Sequence, residues 1–132
     1  MAANTSPIFT LTPHIGMVAI STANTNRDGS GTLGSVITGT TNGTHVSRIT
    51  VQATASTTAG FVRLYIFDGG SVTELWKEIA ITAATPSGTV AAFAYTLTLT
   101  GETALVLPNG YILKASTHNA EAFNVIAEGG DY

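Results

Sequence analysis

The stretch FVRLYIFDGGSVTELWKEIAI, residues 61–81, reads as two β-strands joined by a tight turn. In Phe61 to Phe67 the side chains of Val62, Leu64 and Ile66 point to one face, while Phe61, Tyr65 and Phe67 flank Arg63 on the other. A strand apolar on both faces is either central in its sheet or part of an interface. Asp68-Gly69-Gly70-Ser71 supplies the turn chemistry of a hairpin. Beyond it, Leu75, Ile79 and Ile81 oppose Glu74, Trp76 and Glu78. A helix competes, because Glu74 and Glu78 stand four apart, as do Leu75 and Ile79. The run is short and uncapped, so strand is the reading kept.

The same grammar extends in both directions. In His45 to Ala55, Ile49, Val51 and Ala53 share one face and Arg48, Thr50 and Gln52 the other, a strand with one wet side. From Ala91 to Thr100, the apolar series Ala91, Phe93, Tyr95, Leu97 and Leu99 gives the longest period-2 signal in the chain. Shorter runs cover His14 to Ser21, Thr32 to Thr38, Tyr111 to Thr117 and Phe123 to Glu128, the last two reading as a closing hairpin. Thr22 to Gly31 and Ala83 to Gly88 read as polar loops. About eight runs at sandwich-like spacing, with no fixed repeat, point to an all-β fold, a single antiparallel β-sandwich over residues 14–132. Residues 1–13, with Pro7 and Pro13 and the apolar anchors Ile8, Phe9 and Leu11, read as an extended N-terminal arm.

At 132 residues the chain has the length of one domain. Only 10% of it is charged while 44% is hydrophobic, which excludes disorder by the high-charge, low-hydrophobicity route. Net charge is −3, and the cations Arg27, Arg48, Arg63, Lys77 and Lys114 form no stripe, which disfavours nucleic acid as a partner. Cysteine is absent, removing disulfides, zinc–thiolate sites and cysteine nucleophiles. No window is apolar enough for a spanning helix and no signal peptide leads the chain, so no membrane partner is expected and synthesis in a cytoplasm is the default.

No cluster of residue types assembles a chemistry. His14, His45 and His118 lack the spacing that places two ligands on one metal. Gly29-Ser30-Gly31 is not a nucleophile elbow, and Arg27-Asp28-Gly29-Ser30-Gly31 lacks the alternate carboxylates of a calcium loop. Glu74 and Glu78 are the close carboxylate pair, roughly 13 Å apart along one strand face, and read as solubilising. Neither enzyme, cofactor nor metal is expected. Trp76, with Phe61, Tyr65 and Phe67, forms a candidate aromatic surface for a sugar or a protein neighbour, weighed evenly against burial in the core.

Phe61 to Gly70, Leu75 to Thr82 and Gly110 to Tyr132 together resemble small virion proteins of tailed bacteriophages, over roughly Arg48 to Tyr132. The resemblance implies a jelly-roll-like sandwich acting as a capsid decoration (cement) protein, a structural subunit without catalytic residues. It also implies a homotrimer that bridges major capsid protein subunits on the virion surface after synthesis in the host cytoplasm. Ile8, Phe9, Leu11, Phe61, Arg63, Tyr65, Phe67 and Trp76 are the candidate interface residues. Alternative roles are a neck or tail component, or a carbohydrate- or receptor-binding module.

Overall fold

The computed structural model describes residues 9–100 and 104–132. These form nine strands: β1 (Thr12–Ile20), β2 (Gly34–Thr38), β3 (Thr44–Ala53), β4 (Gly60–Phe67), β5 (Thr73–Ile81), β6 (Ala94–Thr98), β7 (Leu105–Leu107), β8 (Ile112–Thr117) and β9 (Phe123–Asp131). No helix occurs among the described residues. One sheet runs β1-β9-β3-β6, with β7 also on β3; the other runs β2-β8-β4-β5. Every pairing between these strands is antiparallel.

The expected hairpin 61–81 is β4–β5, with Gly69 in the left-handed region (φ 83°) at its turn. At nearly every other connection the chain crosses to the opposite sheet. Val46, Ile49 and Val51 of β3 and Phe123, Val125 and Ala127 of β9 share one buried core with Val62 and Leu64 of β4 and Leu113 and Ala115 of β8. Core and wet faces alternate on β3 as its sequence requires, with Ile49, Val51 and Ala53 buried and Arg48 exposed.

Three local expectations are corrected. First, β8 and β9 are not a hairpin: β8 lies in one sheet and β9 in the other. Leu113 and Ala115 belong to the same buried core as Val125 and Ala127, and residues 118–122 carry the chain across to the other sheet rather than back. Second, the long alternation 91–100 yields only Ala94–Thr98, and the edge of β3 is completed by β7. Third, β1 begins at Thr12, and the Leu11 amide already donates to the Asp131 carbonyl at 2.7 Å. The arm read over 1–13 thus gives its last residues to the sheet; its residues 1–8, Ile8 among them, lie outside the described residues.

β5 carries a bulge. Leu64 pairs with Lys77 and Tyr65 with Leu75, leaving Trp76 as the extra residue. One extra residue inverts the in–out phase of everything beyond it. Glu78 therefore lies opposite Arg63 on the outer face, Glu74 lies opposite Ile66, and Trp76 packs against the core. The two glutamates do not share a face.

Candidate functional site

Phe61, Arg63, Tyr65 and Phe67 project from the outer face of the β2-β8-β4-β5 sheet, and the chain covers much of that face itself. Arg63 and Tyr65 are both 0% exposed. The cover is the β1–β2 loop, residues 21–33. Tyr65 donates its hydroxyl hydrogen to the Asn26 carbonyl at 2.7 Å, and Arg63 Nη1 donates to the Asn24 carbonyl at 3.2 Å. Asn24 is itself buried, and its amide nitrogen donates to the carbonyls of Ser30 and Thr32, at 2.9 and 3.0 Å, which holds the loop closed on itself.

The charge of Arg63 is met at the edge of this cover. Its Nε donates to Glu78 Oε2 at 3.0 Å, the same oxygen that accepts from Arg27 Nε at 2.8 Å. Arg63 Nη2 lies 3.2 Å from His118 Nδ1 and donates to it. Both guanidinium groups stand over the Phe61 ring, Arg63 at 5.4 Å and Arg27 at 5.6 Å. Hydrogen bonding from Arg27 is the largest influence holding the Glu78 carboxyl below its ordinary value; Arg63 adds to it, and partial desolvation opposes both. Glu78 is thus a latch between loop and sheet rather than a free solubilising group. The double apolar face of β4, which marks a strand as central or interfacial, is satisfied to this extent within one chain. Phe67 lies under the Lys114 ammonium at 4.3 Å, and Trp76 under Lys77 at 5.4 Å.

The histidines are not brought together. His118 faces Arg63 and Phe61. His14 Nδ1 donates to Asp131 Oδ1 at 2.8 Å, and Thr44 donates to the same oxygen at 2.6 Å. The Thr44 bond is the main cause that lowers the Asp131 carboxyl; His14 adds to it, and desolvation opposes. His45 stacks edge-on against Tyr132. Among the described residues no group of three or more His, Asp or Glu side chains could hold a metal. Asp28 caps its own turn through the Ser30 amide and hydroxyl, so the Arg27–Gly31 segment is turn structure.

Among the described residues, the large apolar side chains most open to solvent lie on β1 and the residues leading into it. Phe9 is 74% exposed, Leu11 83%, Ile15 57% and Met17 67%. Ile15 and Met17 share the outer face of β1, and Met17 lies opposite the half-buried Ile126 of β9. Met17, Ala19, Asn124 and Ile126 border a shallow groove there. Phe9 and Leu11 were singled out by sequence, but Ile15 and Met17 were not. The signal was present: every residue from Ile15 to Ile20 is nonpolar, so β1, like β4, is apolar on both faces. Comparison with known proteins finds no matching family model, no similar curated protein and no similar solved structure.

Proposed function

We propose that this protein is a non-enzymatic structural subunit of a tailed-phage virion, decorating the capsid and bridging major capsid subunits. We read its sheet-alternating strand order as a jelly roll. Two supports carry this reading: the sequence resemblance over the C-terminal two thirds, and the surface chemistry. The single observation with most weight is the apolar strip Phe9, Leu11, Ile15 and Met17, which leads from the N-terminal segment onto the sheet and stands open to solvent. An isolated exposed leucine needs no explanation, but four large apolar side chains along one stretch of chain mark an interaction surface. The glycan-binding alternative required an aromatic platform on β4 and β5. Tyr65 is buried and Lys114 covers Phe67, so that reading has less to recommend it.

The test is add-back. Purified protein is mixed with phage capsids lacking their decoration protein and co-sedimented. Saturable binding at a fixed ratio to the major capsid protein is expected. Saturable binding to isolated tails but not to capsids would move the role to the tail, and binding to neither would overturn the virion reading.

A further inference from the structure

We propose that the free edge of β1 is a self-association site, taken by β1 of a second copy of this chain in antiparallel pairing. This stands apart from the decoration reading, since it concerns the protein in solution. Among the described strands the sheet edges are β1, β2, β5 and the edge that β6 shares with the three-residue β7. β2 and β6 have five residues each, and the nine-residue β5 carries Glu74, Lys77 and Glu78. β1 also has nine residues but none of the Lys, Arg, Asp or Glu that protect an edge from pairing. Among the described residues, no strand pairs with its outer edge.

Pro13 sets the phase of that edge. It lies opposite Gly130 in the β1–β9 ladder, and a proline is accommodated there only with its nitrogen turned away from the neighbour. Alternate residues share an orientation, so Ile15, Met17 and Ala19 aim their amides at the free edge. Ile15 and Met17 are also the large apolar residues exposed on the outer face.

A two-fold axis at Gly16 places Ile15 opposite the partner's Met17, and Ala19 opposite the partner's Pro13. Each copy then donates from Ile15, Met17 and Ala19, giving about six main-chain hydrogen bonds, and the proline's missing donor falls at the ladder ends. On the outer face the Ile15 and Met17 side chains of both copies form one cluster. Phe9 and Leu11 precede the paired segment, so the interface rests on the main-chain ladder and on the exposed Ile15 and Met17 side chains of both copies. The pairing is isologous and yields a dimer, not the three-fold assembly that the phage resemblance implies.

Sedimentation velocity of the full chain over about 1–200 µM tests this, with Met17→Lys, Ala19→Lys and Met17→Leu alongside. A reversible monomer–dimer equilibrium is expected, weakened at least about tenfold by either lysine and retained by leucine, with the melting midpoint of the lysine variants within a few degrees of wild type. Tyr95→Lys, on the opposite edge, should leave the dimer intact. A monomer throughout, a trimer as the associated species, or a dimer indifferent to both lysines would overturn the proposal. Should one lysine variant fail to fold, the other decides.

Discussion

Arg63 and Glu78 face each other across β4 and β5, and the fully buried arginine donates to a carboxylate oxygen that it shares with Arg27 of the β1–β2 loop. One carboxylate therefore neutralises a buried cation and ties down the loop that buries it.

The first prediction concerns the asymmetry of that arrangement. Glu78→Gln leaves Arg63 buried without its counter-ion and should destabilise more than Arg27→Gln, which removes an exposed partner of the kind that contributes little. Arg63→Ala opens a cavity beneath the loop and strands the Asn24 carbonyl, and should cost roughly 3–5 kcal/mol. Urea unfolding of the three variants ranks them. Equal losses for Glu78→Gln and Arg27→Gln would show that Arg63 does not depend on the latch.

Acid should destabilise the protein through its depressed carboxylates, which are Asp28 and Asp68 within their own turns and Glu78 and Asp131 between distant parts of the chain. Glu78 and Asp131 are both held below their ordinary values of 4.5 and 3.8. A depressed folded-state value contributes stability that is fully present above the unfolded-state value and is lost as pH falls through the folded one. Stability should therefore decline from about pH 4.5 downward as the unfolded chain takes up protons first. Glu78→Gln and Asp131→Asn start less stable but should show a shallower acid limb. An unchanged limb in both variants would place the acid sensitivity elsewhere.

Close approach of backbones gives a sharper contrast. A Cβ on Gly129 would stand 1.8 Å from the His45 carbonyl oxygen, where β9 passes β3, whereas a Cβ on Gly88 meets nothing within 4 Å. Gly129→Ala should cost at least roughly 1–3 kcal/mol, the range for overpacking. Gly88→Ala should be neutral or slightly stabilising. Thermal unfolding compares them, and similar midpoints would contradict the strand spacing described.

What the sequence made legible was local. The hairpin at Asp68-Gly69, the wet and dry faces of β3 and the two-sheet architecture follow from alternation and turn residues acting over a few positions. The rest depended on contacts between distant residues. Trp76 looks like any alternating position, and only its lack of a partner on β4 reveals the bulge that separates Glu74 from Glu78. The β8–β9 pair looked like a hairpin because apolar strands facing across a core and those lying side by side have the same pattern. Cover for Arg63 and Tyr65 comes from Asn24 and Asn26, 39 residues away, in a loop whose polarity suggested solvent. Attention to β4's two apolar faces drew the interface there, although β1 shows the same double pattern and remains open.

Association through β1 and association through the aromatic face of β4 leave different marks on the backbone amides. Residue-resolved amide hydrogen exchange at low and high protein concentration is the test, because the amides of Ile15, Met17 and Ala19 face an edge that no strand among the described residues pairs with. These three amides should become protected as concentration rises, while Gly16 and Val18, turned toward β9, are protected throughout. Fast exchange at Ile15, Met17 and Ala19 at every concentration, or concentration-dependent protection confined to β4 and β5, would contradict association through β1.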